Sequence, residues 1–467
     1  MKRLDEVLEN KGGNYILPFL WMKGEGKEAI EVEIERIREC GIREICVESR
    51  PHPDFMGPVW WEEMDLIMDL AKKNQMKVWL LDDSKFPVGY ANGAFKEKPE
   101  LAKVYLAERH MDVIGPAKDS AVLIEPFLGS DGKLMAVLAC KKTDTETLNV
   151  DGGEVLNLTD KVEDGIVYFD IPEGFYRIFV LFTTQKNGGR EFYMNLIDAD
   201  SVKVLLDAVY EPHYSRYKAE FGNTFAGFFS DEAEIGNTAG YDFIGKLGKR
   251  DVKLPWSKAL EKQLKTKWGE SFTNYLPALW YEYGEKTSGI RTDFMDSVSA
   301  LIQSCFTNQV GKWCRDRGVE YIGHIIEDDN AHGRLGCSIG HYFRYMKGQD
   351  MSGIDVVLLQ IIPGFTETIH QWIASDRDGE FFHYGLAKLG SSAAHMDARK
   401  QGRALCEIYG AYGWAEGVSL MKWLTDHMLV RGINVLSPCL FHAISRSRLS
   451  PHFYAGGNNP NIVSSFF

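Results

Sequence analysis

The feature that most constrains this chain is a rhythm of short apolar runs, each followed by an amphipathic stretch of helical period. Repeated strand–helix units of that kind build a parallel sheet. The runs are eight: Tyr15 to Trp21, Glu44 to Val47, Lys77 to Leu81, Phe225 to Phe229, Tyr321 to Ile326, Asp355 to Ile362, Ala404 to Ile408 and Asn434 to Leu440. After the first, Ile30, Ile34 and Ile37 recur at helical spacing, and Asp198 or Asp200 is placed to cap a helix running to about Phe221. No strand is followed by a G-x-G-x-x-G or G-x-x-x-x-G-K-[ST] loop, so a nucleotide-binding open sheet lacks support. The expected fold is an α/β (β/α)8 TIM barrel, whose core of roughly 250 residues leaves much of the 467-residue chain for insertions.

The largest insertion falls after the third strand. Between about Leu101 and Glu191 the runs Ala121 to Leu128, Leu134 to Cys140, Ile166 to Ile171 and Tyr176 to Thr183 are separated by turns rich in Gly, Asp and Pro, with no helical period. That pattern predicts an inserted antiparallel β-module resembling a small sandwich. The chain thus divides into a first barrel part over 1–100, the module over 101–191, and a second barrel part over 192–467. No eighth helix follows Leu449, where the sequence turns Pro-, Gly- and Asn-rich, so the barrel is expected to be truncated at its C-terminus.

Composition narrows the function classes. A net charge of -13, from 53 Lys+Arg against 66 Asp+Glu, is spread along the chain without a basic stripe, which excludes nucleic acid and anionic membranes as partners. The N-terminal basic residues are interrupted by acidic ones before an h-region forms, and no run of about 20 apolar residues follows. Eight cysteines lack C-x-x-C spacing, as expected of free thiols in a reducing cytoplasm. Oligomeric state is not legible.

In a barrel of this kind the active site lies just beyond the strand ends, and here those positions are acidic. Asp82 and Asp83 end the third strand, Asp231, Glu232 and Glu234 the fourth, Glu327, Asp328 and Asp329 the fifth, and Glu407 lies in the seventh. Two carboxylates across one pocket suit glycosidic cleavage, one protonating the leaving oxygen, the other acting as nucleophile or base. Aromatic residues crowd the same ends, among them Trp21, Trp60, Trp61, Phe86, Tyr90, Tyr409, Tyr412, Trp414 and Phe441. Flat rings suit the apolar faces of a sugar, and His324, His332 and His442 its hydroxyls. Each acid also has an ordinary reading as a helix cap or surface pair. Glu407 resists it, because Ala404-Leu405-Cys406 before it and Ile408 after it make an apolar strand in which a carboxylate must be paired or functional. The site therefore takes Glu232, Glu407 and Glu327 as catalytic candidates. Asp82, Asp83, Asp231, His324, Tyr409, Tyr412, Trp414 and His442 are its substrate-binding candidates.

The segment Asp82 to Gly93, the inserted module, Phe228-Phe229-Ser230-Asp231-Glu232, the Glu327 segment and the Glu407 strand together resemble the barrel of glycoside hydrolase family 106, the α-L-rhamnosidases. More distantly, the fourth- and seventh-strand glutamates are similar to those of the glycosidase clan that includes family 42 β-galactosidases. The resemblance implies a hydrolase of terminal sugars acting on an oligosaccharide or glycoside, and a calcium ion near the acidic strand ends. The rhamnosidases are inverting, whereas the wider clan is retaining with the acid on strand four and the nucleophile on strand seven. Two other readings stand beside it: a non-catalytic carbohydrate-binding barrel, and a metal-dependent hydrolase, which strand one disfavours by lacking H-x-H.

Overall fold

The computed structural model describes residues 13–186, 188–237, 245–325, 335, 338–364, 366–367, 379–412 and 416–439, with Asp5 and Leu8. Glu327, Asp328, Asp329, His332, Trp414, Phe441, His442 and the expected truncation lie outside the described residues.

Strands β1 (Phe19–Trp21), β2 (Glu44–Glu48) and β3 (Lys77–Leu81) come first. Then follow β4 (Val104–Leu123), β5 (Lys133–Lys142), β6 (Val150–Asn157), β7 (Val162–Glu163) and β8 (Ile166–Thr184). The remainder are β9 (Phe225–Asp231), β10 (Leu254–Trp256), β11 (Glu320–His324), β12 (Ser352–Val356), β13 (Ala404–Ile408) and β14 (Val435–Pro438).

The fold is mixed α/β and, among the described residues, has two parallel sheets, β1-β2-β3-β9-β11 and β12-β13-β14. Their edges approach on both sides. Ile16 bridges Leu436 in parallel, with Leu17 N–H donating to Leu436 O at 2.8 Å. On the other side Asp350 N–H donates to Tyr321 O at 2.7 Å, and a Cβ built on Gly353 would stand 1.9 Å from Gly323 O, so two bare backbones meet there.

Helices cover one face of these strands because their apolar residues fall on one stripe. The helix Lys27–Glu39 buries Ile30, Ile34 and Ile37, and Pro58–Lys73 buries Trp60, Met64, Ile67 and Ala71. Asp198 caps the helix starting at Ala199, accepting from the Asp200 and Ser201 N–H groups. That helix widens into a π turn over Leu206–Tyr210 and resumes at Glu211–Tyr217. Strand alternation then sorts the core. Val78, Leu80, Phe228, Ile354, Cys406 and Ile408 join the helices, while Phe19, Cys46, Trp79, Leu81, Phe229, Ile322 and Leu405 form a second cluster on the opposite face.

The segment after β3 forms an antiparallel sheet, ordered β10-β4-β8-β5-β6 with β7 on β8. One face has its own core, including Val137, Ala139, Val167, Phe169, Ile178 and Val180. The other joins the main core through Leu106, Leu138, Phe179 and Leu181. Its edge strand β10 comes from beyond Glu191, and the run Ala121 to Leu128 ends in a helical turn over Glu125–Leu128. β12 also lies earlier than the apolar run Asp355 to Ile362, which continues past the strand into a loop where Leu358 and Leu359 have φ of 55° and 59°.

The described cysteines are free thiols, with Cys46, Cys140, Cys305, Cys314 and Cys406 buried. Among the described residues no helix is long and apolar enough to cross a membrane.

Candidate active site

Alternation also decides what lies at the C-terminal strand ends. Stepping along the second face from Phe19, Cys46, Phe229, Ile322 and Leu405 by two residues reaches Trp21, Glu48, Asp231, His324 and Glu407. Asp355 joins them from β12, in register with Glu407, as Asp231 is with His324. All four of these carboxylates are buried, and buried charges persist only when paired or hydrogen-bonded.

The pairing is a chain of contacts across the strand ends. Arg50, just past β2, donates from Nε to Glu48 Oε1 at 2.7 Å and from Nη2 to Asp231 Oδ2 at 2.6 Å. Its guanidinium also lies 5.3 Å from the centre of the Phe86 ring. His324 Nε2 stands 2.9 Å from Glu407 Oε2 and 3.3 Å from Asp231 Oδ1, an imidazole edge between two carboxylates. Glu232, the first residue beyond β9, is buried with φ of 51°, and it groups with His324 and Asp355, their ligand atoms within 4.8 Å of one another. Burial pushes Glu48 up to about 7; Arg50 pulls it down while Asp231 and Glu407 add to the rise. For Arg50 burial works against the charge, but Glu48 and Asp231 outweigh it and hold the guanidinium above its ordinary value.

Among the described residues two groups could hold a metal ion: Asp231, His324 and Glu407, and Glu232, His324 and Asp355. Each contains an imidazole nitrogen, whereas calcium takes six to eight oxygen ligands. Among the described residues the donor set does not fit calcium; a borderline divalent metal suits it better.

Of the residues read from the sequence, Glu232, Glu407, Asp231 and His324 come together here. Asp82 and Asp83 are occupied elsewhere. Asp82 continues the helix-side face of β3, accepting from Tyr210 Oη at 2.5 Å and Ser230 Oγ at 2.5 Å. Burial pushes it up to about 7, against those two hydrogen bonds. Asp83 accepts the N–H groups of Ser84 and Asn92 on one oxygen and of Gly89, Tyr90 and Ala91 on the other. Tyr409 Oη bonds Thr425 Oγ1, and Tyr412 Oη exchanges bonds with the Ile361 backbone at 3.1 Å. Glu234 pairs with Arg190.

Glu48, Arg50 and Asp355 were not among the residues singled out in the sequence. The signal for Glu48 was its place two residues after Cys46 on an alternating strand. Asp355 was hidden by the displaced run, which set it at the start of a strand instead of near its end.

No protein family matches the sequence, nor does any curated protein. Among solved structures the chain is similar to the rhamnosidase from Novosphingobium sp. PP1Y, with a TM-score of 0.60 at 12% identity over 91% of this chain and 55% of that one. It is also similar to the β-amylase catalytic domain from Paenibacillus polymyxa, with a TM-score of 0.48 at 9% identity over 91% and 92% of the two chains. A third is the β-galactosidase from Marinomonas ef1, at 0.45 and 12% over 91% and 53%. The chain spans about half the length of the rhamnosidase, 55% of it. At such identities a likeness speaks to architecture alone, and on the first of these alignments the chain has a glycoside-hydrolase-like fold.

Proposed function

We propose that this protein is a glycoside hydrolase that cleaves a terminal sugar, such as an α-L-rhamnoside, from an oligosaccharide or glycoside. In this reading the two parallel sheets are arcs of one (β/α)8 barrel, closed at the Ile16–Leu436 bridge and at the Gly323–Gly353 approach. The antiparallel sheet is an insertion over 101–191 that borrows β10 as its edge.

The observation that carries the proposal is the meeting of Glu232 and Glu407, from β9 and β13, around the single imidazole of His324. Glu232 serves as general acid to the leaving oxygen. Glu407, oriented by His324 Nε2, serves as nucleophile or as base for water. Arg50 holds Asp231, whose Oδ1 shares His324 Nε2 with Glu407, and Trp21, in register with Glu48, offers an indole to a sugar face.

A screen of aryl glycosides tests the class, with product anomers followed by NMR to separate inversion from retention. Glu232→Gln and Glu407→Gln keep shape and remove proton chemistry, so each should lower turnover by a hundredfold or more, on the order of a general acid–base contribution. Near-normal turnover in both variants defeats the assignment. A metal-dependent hydrolase draws on the same His324-centred donors; turnover that survives chelation of the purified enzyme rejects that second reading.

A further inference from the structure

We infer that the root of the antiparallel sheet belongs to the catalytic apparatus, with Arg190, Lys103 and Tyr193 acting as positioning residues for Glu232. This rests on Glu232 being a catalytic carboxylate.

Glu232 has φ of 51°, in the left-handed region. A side chain larger than glycine's stays there only where its surroundings over-determine the backbone, and such positions cluster at functional sites. The fixings lie on both sides of it. Upstream, Asp231 O accepts from Val88 N–H at 3.0 Å. Downstream, Glu234 N–H donates to Tyr193 Oη at 3.3 Å, and the Glu234 carboxylate is paired with Arg190. Ile235 O accepts from the Lys103 ammonium, and Gly236 O accepts from Arg190 N–H at 3.3 Å. Tyr193 Oη also donates to Val88 O, so one hydroxyl ties the loop after β3 to the turn after β9.

Lys103 lies where the chain enters the antiparallel sheet, and Arg190 and Tyr193 lie where it leaves. Lys103 and Tyr193 are buried, with the ammonium 4.5 Å from the centre of the Tyr193 ring. Burial brings Lys103 down to about 7, a sign of how costly the ammonium is at this place. If the root only joined two units, apolar packing would do so at lower cost than a buried ammonium and a carboxylate–guanidinium pair. Instead these charges reach the side chain and backbone of residues 234 to 236, immediately after the strained position. A Cβ on Gly236, where φ is 60°, would fall 2.7 Å from Lys103 Nζ and 3.0 Å from Glu234 Oε1, so the fixing is also closely packed. Released, Glu232 relaxes to negative φ and its carboxylate leaves His324 and Asp355, while Glu407 stays in place.

The test uses the full chain with Arg190→Gln, Arg190→Lys and Lys103→Met. A misplaced acid slows departure of a poor leaving group and leaves a good one nearly untouched. Arg190→Gln should therefore lower kcat/KM, which reads the departure step in either mechanism, on an alkyl glycoside by about a hundredfold, the cost of a small misplacement. The dinitrophenyl glycoside of the same sugar should keep an almost normal kcat/KM, Arg190→Lys should recover part of the loss, and Lys103→Met should show the same leaving-group pattern. Equal losses on both leaving groups, or wild-type rates on both, overturn the inference. Glu232→Gln run alongside separates the two failures: if it alone is impaired, the positioning role is wrong, and if it is unimpaired, the assignment of Glu232 is wrong. A crystal structure of Arg190→Gln decides independently of any substrate, since Glu232 remaining near its φ of 51° refutes the clamp.

Discussion

Replacing Asp83 by Asn removes one oxygen from a carboxylate that serves five backbone donors. The donors are split two and three, at 2.7 and 2.9 Å on Oδ1 and at 2.9, 2.6 and 2.8 Å on Oδ2. An asparagine does least damage with its oxygen toward the three, which turns its NH2 against the Ser84 and Asn92 N–H groups. A buried N–H left without an acceptor costs about 1–3 kcal/mol, and because Ser84 is half-buried and Asn92 exposed these two fall at the low end, about 2 kcal/mol together. The remaining three lose charge assistance, partly offset because a neutral amide is easier to bury than Asp83's carboxylate, which burial pushes up. A net loss of about 3 kcal/mol is expected, concentrated in the loop from Ser84 to Asn92. Since every 1.4 kcal/mol is tenfold, amide exchange there should quicken by about two orders of magnitude. Hydrogen-exchange mass spectrometry of wild type and Asp83→Asn reads this directly. Unchanged exchange in the loop, combined with a raised KM for a glycoside, would refute the reasoning and return Asp83 to the role of a sugar ligand.

Asp82 should make stability depend on pH in a defined sense. Its carboxyl lies at about 7 in the fold, above the unfolded value of about 3.9, so the native state holds the extra proton, and the stability this contributes is lost as pH rises from about 4 through about 7. Urea unfolding across that window should show Asp82→Asn gaining on wild type as pH rises, and a constant difference refutes it. Gly353→Ala should abolish soluble protein, because its methyl would lie 1.9 Å from Gly323 O. Gly289→Ala, in the helix Thr287–Leu301 with nothing within 4 Å, should instead raise the melting temperature slightly. Matching behaviour of the two variants would argue against the closed strand contact.

What was legible from residues alone follows the range of the physics involved. The strands β2, β3, β9, β11, β13 and β14 announce themselves because period and apolarity are local, and Glu407 stood out for the same reason, a carboxylate inside an apolar strand. β12 did not: Ser352-Gly353-Ile354-Asp355-Val356 is weakly apolar because Gly353 must be bare for a neighbouring backbone, a demand set 30 residues away at Gly323. The displaced boundary concealed Asp355. Asp82 and Asp83 show the other limit. Adjacent acids at a strand end look alike as letters, yet alternation sends Asp82 to Tyr210 and Ser230 behind the sheet, while Asp83 folds the next loop around itself. Which acid is structural is decided by partners 128 and 148 residues distant in the first case and 1 to 9 in the second. Arg50 follows from the same reasoning run in reverse. An array of buried carboxylates at the strand ends requires a cation, and the chain supplies it from just past β2, 181 residues before the Asp231 it neutralises. A sequence rich in acids at strand ends is therefore best searched for its few matching cations, since it is these that fix which of the acids remain charged together.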